Sequence, residues 1–322
     1  MKKNAKIYAL TALSLGLLCS PALSQSCPNP LRIMAPAAPG GGLDQTGRAL
    51  QQVLVGEKLG SNVQVFNVPG AGGTIGIAQM VTQSRRDPGM LMVAANVLIG
   101  AILSNASTIS LADTRPVARL VSEYEVIVVP KDSRFKTFGE LAAALKADPG
   151  KVSWAGGSAG GTDQITAALI AKAIGADVKR VNYIAFAGGG EALASVLGGK
   201  VTAGVNTFSE FREQIASGDL RLLAVAGPQR LPNIDAPTLN ELGVNVVSQV
   251  WRMVTAPPGI TEKEHAALVE CVKAAATTDA WKKLLQERGW TSGLLTGPEL
   301  DAFVKSETEI TTAILHEIGF IK

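Results

Sequence analysis

The chain has 322 residues, with 30 lysines and arginines against 27 acids, 47% hydrophobic side chains and only 5% aromatic ones. A formal charge of +3, with no dense basic tract interleaved with aromatics, argues against a nucleic-acid partner. Two histidines and three cysteines, none of them clustered, leave no basis for a zinc site, and no metal or cofactor is expected.

The first six residues carry Lys2, Lys3 and Lys6, and 7–19 is an apolar run too short to span a bilayer. That pattern predicts a cleaved signal peptide over 1–24. Ala22 and Ser24 supply the small residues before the cut, so the mature chain is expected to start at Gln25 in the periplasm. The leader takes three lysines and no acid with it, which leaves the mature chain formally neutral. Cys27 and Cys271 remain, in a compartment where disulfides persist; the sequence leaves open whether they pair. Roughly 300 mature residues exceed one core, so two domains are expected, and no later segment is long and apolar enough for a membrane helix.

Along the chain a short β-branched run, a glycine-rich turn and a helical pattern recur, which is the rhythm of parallel α/β units. The run 31–35 leads through Pro39-Gly40-Gly41-Gly42 into a helix from about Asp44. The run 63–66 leads through Gly70-Ala71-Gly72-Gly73 into a helix through Met80. The run 152–155 leads through Gly156-Gly157-Ser158-Ala159-Gly160-Gly161 into a helix from about Asp163, and 179–184 leads through Gly188-Gly189-Gly190 into another. Two long extended patterns, 121–130 and 246–257, read as crossings between two halves. Helices are then expected over 261–276, 279–288 and 298–317, each opening at a capping-type residue. The resulting layout is an α/β protein of two discontinuous domains, 25–122 with 249–322 and 123–248, forming a two-lobed clamp joined by crossing strands.

Glycine-rich turns at the ends of parallel strands bring backbone N–H groups and a helix N-terminus to a ligand, which suits an anion. The loops 39–44 and 156–163 are the two candidates, placed to grip opposite ends of one molecule. Taken singly, each is equally a tight turn with an aspartate cap. Gly156-Gly157-Ser158-Ala159-Gly160 also matches the G-x-S-x-G elbow of α/β serine hydrolases, with Ser158 as nucleophile. That alternative needs a loop histidine, and His265 and His316 both fall in helical, solvent-facing patterns. Gly70-Ala71-Gly72-Gly73 lacks the spacing of a dinucleotide loop. Glu191 reads as a helix-opening carboxylate. Trp251-Arg252, on the return crossing, reads equally as cleft floor and as packing.

Five stretches, Pro39-Gly-Gly-Gly-Leu-Asp-Gln-Thr-Gly-Arg48, Asn67-Val-Pro-Gly-Ala-Gly-Gly73, Gly156-Gly-Ser-Ala-Gly-Gly-Thr-Asp163, Gly188-Gly-Gly-Glu-Ala192 and Pro237-Thr-Leu239, occur in an order that resembles the Bug-type solute-binding proteins of tripartite tricarboxylate transporters. The likeness covers essentially the whole mature chain. It implies a Venus-flytrap (periplasmic-binding-protein) fold, a monomer, a small polycarboxylate ligand and delivery to a two-component membrane permease. By position, Ala38, Gly41, Gly42, Leu43 and Asp44 are expected to form one carboxylate site. Ser158, Ala159, Gly161, Thr162 and Asp163 are expected to form the opposing one, with Gly189 and Asn206 on the second lobe's wall. Members resembling citrate binders often carry tryptophan where Leu43 stands, histidine where Gln164 stands and asparagine where Val250 stands. These departures imply a larger or more apolar cleft, fitting a dicarboxylate, aromatic ones such as terephthalate included, as well as a tricarboxylate such as citrate.

Overall fold

The computed structural model describes residues 27–232 and 234–322. The expected leader lies outside them. In the first stretch, β1 (Leu31–Ala35), α1 (Gly42–Gly56), β2 (Val63–Asn67), α2 (Thr74–Gln83), β3 (Met90–Ala95) and α3 (Asn96–Ser104) alternate as the glycine-turn pattern requires. A long strand, β4 (Arg115–Pro130), follows. The middle of the chain holds α4 (Phe138–Ala147), β5 (Ser153–Gly156), α5 (Thr162–Ala173), β6 (Asn182–Ala185), α6 (Gly189–Leu197), β7 (Ala203–Thr207), α7 (Phe208–Ala216) and β8 (Leu220–Val225). The return strand β9 (Gln249–Ala256) leads to α8 (Glu262–Ala276), α9 (Asp279–Arg288), β10 (Thr291–Leu295) and α10 (Gly297–Glu317).

One sheet runs through the molecule in the order β2-β1-β3-β9-β4-β7-β5-β6, with β8 and β10 pairing with β4 off that path. β1 is parallel to β2 and β3, and β5 is parallel to β6 and β7. The crossing strands are antiparallel to each other from Arg115↔Ala256 to Tyr124↔Gln249; β4 then continues against β7, from Glu125↔Thr207 to Val128↔Gly204. β4 thus begins six residues before the expected crossing. Arg115, Pro116 and Arg119 mask that start, and the ladder accommodates Pro116 by a register shift just after it.

The apolar clusters divide along the same line. Two draw their buried residues from 27–121 and 251–304, and two others only from 126–246. A small fifth cluster, Ile165, Ala168, Leu315 and Ile318, seats α5 against the end of α10. Cys27 and Cys271 form a disulfide, with Cα atoms 4.8 Å apart, tying the start of the described chain to α8. No helix among the described residues is long and apolar enough to cross a membrane.

Candidate functional site

The helix starts are capped in different ways. α4 and α8 open with full capping boxes, Thr137 with Glu140 and Thr261 with Glu264, in which the threonine oxygen accepts from the third residue's N–H and the glutamate accepts from the threonine's N–H. α1, α5 and α6 open instead on glycines, Gly41, Gly161 and Gly188, whose conformation is extended and which offer no capping side chain. Each helix N-terminus carries roughly half a positive charge and up to four N–H groups unused by the helix. These three starts face one cavity of about 80 Å³. By the measure in which one water needs roughly 10–15 Å³, that is room for a few waters or a small solute group.

Eight of the twelve expected site residues line this cavity: Gly41, Gly42, Leu43, Ser158, Thr162, Asp163, Gly189 and Asn206. Ala38, Asp44, Ala159 and Gly161 do not; they belong to the loops and helix starts that carry the lining. Asp44 is 3% exposed and braces its loop, accepting from Gly40 N–H at 2.9 Å, Arg48 Nε at 2.9 Å and Asn67 Nδ2 at 2.9 Å. Burial alone would raise its pKa, but those donors outweigh it and hold the carboxyl below its ordinary value. Asp163 braces the second loop in the same way, accepting from Gly157 N–H at 2.6 Å while Tyr183 Oη donates to the Gly157 carbonyl at 2.9 Å. Here burial prevails over the Gly157 hydrogen bond, and the pKa is raised.

Four residues of the charge arrangement were not assigned from sequence. Arg252, 2% exposed, forms an ion pair with Glu123, itself buried, and lies 3.8 Å from Glu210. The two readings of the Trp251-Arg252 pair therefore divide between its members. Arg252 lines the cavity, whereas Trp251 packs edge-on against Phe303 at 5.3 Å and donates its indole N–H to Glu307 at 2.6 Å. Glu125 lies fully buried behind the lining, next to Asp163. Burial first, reinforced by the neighbouring Asp163 carboxylate, pushes its pKa well above the ordinary carboxylate value.

Glu210 is the fourth. Its sequence context, Thr207-Phe208-Ser209-Glu210, has the spacing of a capping box, yet Thr207 makes no side-chain cap. The glutamate reaches across the cavity instead: Oε1 accepts from Gly42 N–H at 3.1 Å and Oε2 from Asn206 Nδ2 at 3.3 Å. Burial first, then the carboxylates of Asp163 and Glu123, push its pKa up to about 7 against the pull of Arg252 and the Gly42 N–H. Close approach explains two of the glycines. A Cβ on Gly42 would overlap the Arg252 guanidinium, and one on Gly189 would overlap the Glu210 carboxylate.

Leu43 and Val250 both line the cavity, alongside Arg252 and Glu210. Ser158 lines it too, without a histidine. His265 is half-buried on α8 with its ring hydrogen-bonded to the Pro116 carbonyl at 2.8 Å, and His316 is exposed on the last turn of α10. Glu191 accepts from Ala187 N–H at 3.1 Å, the helix-opening role its position gave it.

Residues 47–320 match the family model described as the tripartite tricarboxylate transporter family receptor. The chain belongs to this family. Protein BugT of Bordetella pertussis is 28% identical over 295 residues, covering 90% of this chain and 89% of the relative. Among solved structures, the periplasmic binding protein BugD superposes with a TM-score of 0.82 at 24% identity, over 91% of this chain and 98% of that one. MatC of Rhodopseudomonas palustris with bound malate superposes with a TM-score of 0.75 at 22% identity, over 88% and 98%. The receptor has the two-lobed α/β periplasmic-binding-protein fold, and it is a solute-binding component of a transport system, not an enzyme.

Proposed function

We propose that the receptor captures a small carboxylate solute in the cavity where α1, α5 and α6 begin, and presents it to a two-component membrane permease. The observation that carries this reading is the convergence of three glycine-capped helix starts on one cavity, with a buried arginine in its wall. Partial positive charges of helix ends hold a carboxylate without the desolvation cost of bare lysines. The malate bound by MatC supports the same ligand class. The sequence departures at Leu43 and Val250 favour a dicarboxylate, linear or aromatic, over a citrate-like tricarboxylate.

Gly41, Gly42 and Leu43 form one seat, with Ala38 and Asp44 shaping its loop. Ser158 and Thr162 form the other, with Ala159, Gly161 and Asp163 shaping theirs, and Gly189 and Asn206 close the wall between them. The division of the apolar clusters supports two domains, 25–122 with 249–322 and 123–248, rotating about β4 and β9 to close on the solute. The leader 1–24 directs the chain to the periplasm, where it acts as a monomer.

Thermal shift of the mature protein against tricarboxylates, linear and aromatic dicarboxylates and amino acids tests the reading, since a ligand that binds only the folded state raises Tm. A selective rise with one carboxylate class supports it. A flat response across all carboxylates refutes it.

A further inference from the structure

The seat at the start of α1 is already filled by a carboxylate, and it belongs to the protein. Glu210 Oε1 takes the Gly42 N–H at 3.1 Å, its Oε2 takes Asn206 at 3.3 Å, and the same oxygen stands where a Cβ on Gly189 would go. Gly42, Asn206 and Gly189 are three of the groups that the family likeness assigns to the solute. The Glu210 side chain is 9% exposed and bridges α7 to α1, while its potential capping partner Thr207 makes no cap.

The charges around the cavity point the same way. Glu210 is the acid at the α1 end, whereas Asp163 at the α5 end is turned onto its own loop, accepting from Gly157 N–H at 2.6 Å; the cation in the lining, Arg252, is already paired with buried Glu123. A second solute carboxylate at the α1 end would meet Glu210 within a poorly solvated pocket, where like charges in contact are strongly unfavourable. A hydrogen-bond donor at that end would meet an acceptor held in place by Gly42 N–H and Asn206.

Resting on the carboxylate reading above, and replacing its dicarboxylate preference, we infer that Glu210 determines specificity. The solute carries one carboxylate, seated at the start of α5, and its far end presents an N–H donor, as a carboxamide does, to Glu210. The matching dicarboxylate is rejected.

Calorimetric titration of the full mature chain at pH 8 tests this with isosteric pairs: succinate against succinamate, and terephthalate against its monoamide. In the wild type each binding monoamide is expected to bind at least tenfold more tightly than its diacid. Glu210→Gln keeps an oxygen for the Gly42 N–H but supplies a donor, and should lower that ratio at least tenfold. A wild type that prefers the diacids overturns the inference and leaves the carboxylate reading intact. So does a Glu210→Gln variant, folded by its melting curve, that shifts both members of a pair equally. The wild-type ratio decides the matter even if the variant does not fold. If no carboxylate binds at all, in these pairs or in the thermal-shift panel, both readings fall together.

Discussion

Glu210 ties the stability of the empty receptor to pH in a way that can be worked out before any ligand is known. Its pKa is raised from 4.5 in the unfolded chain to about 7 in the folded one. The folded state therefore holds a proton that the unfolded state releases between those values. Stability is full below the unfolded pKa and is lost as pH rises through 7. A shift of that size corresponds to about 3 kcal/mol in total, of which roughly 1 kcal/mol falls between pH 6 and pH 8. An unfolding entropy of about 0.6 kcal/mol per kelvin, for roughly 300 residues, converts this to about 2 °C in Tm. Asp163 and Glu125 are raised as well and add slope of their own, so the informative quantity is the difference from Glu210→Gln, which keeps those two. Differential scanning fluorimetry of both proteins in ligand-free buffer, at pH 6, 7 and 8 and constant ionic strength, measures it. The variant's decline from pH 6 to 8 should be shallower by about 2 °C. Parallel curves would refute the assignment, because they would mean that Glu210 titrates alike in folded and unfolded chains.

Arg252→Met leaves Glu123 and Glu210 buried without their cation, and should cost about 3–5 kcal/mol by denaturant unfolding; adding Glu123→Gln should return a good part of it, and strict additivity of the two changes would argue against the pairing. Asp163→Ala strips the brace from Gly157 N–H, and a solute identified by thermal shift should bind about tenfold more weakly by calorimetry, roughly the cost of one charge-assisted hydrogen bond; unchanged affinity would remove Asp163 from the site. Replacing both Cys27 and Cys271 with serine opens a covalent loop spanning 244 positions, and should lower stability by roughly 2–5 kcal/mol, read as a lower Tm without loss of solute binding.

The scaffold was readable because its signals are local. Turn glycines after short apolar runs announced β1–α1, β2–α2, β5–α5 and β6–α6, and the capping-type residues Thr261 and Asp279 announced α8 and α9. β7 and α7 were not marked out: Ala203-Gly204-Val205 is a weak strand signal, and no glycine run separates it from the helix. The site followed the same division. Backbone-lined seats show as glycine motifs, so Gly41, Gly42 and Gly189 were legible, but the charge balance is made by side chains distant in sequence. Glu123, Glu125, Glu210 and Arg252 come from β4, α7 and β9, and only the folded register brings them together. Glu210 was disguised further, since Thr207-x-x-Glu210 has the same spacing as the boxes that do cap α4 and α8. The same Thr-x-x-Glu spacing serves two ends, and the choice is made by whether a neighbouring helix start lies within reach.

The bond between Cys27 and Cys271 encloses the whole of 123–248 in its loop. A protease that nicks the second lobe once would leave both pieces of chain covalently joined, so the cut would be invisible on a non-reducing gel and would appear as two bands only after reductant. Two nicks, near 123 and near 248, would free the intervening segment while the flanking halves stayed shackled as one particle. The first lobe's two separated stretches are in this sense a single covalent object, whatever happens to the loop of chain that leaves it and returns.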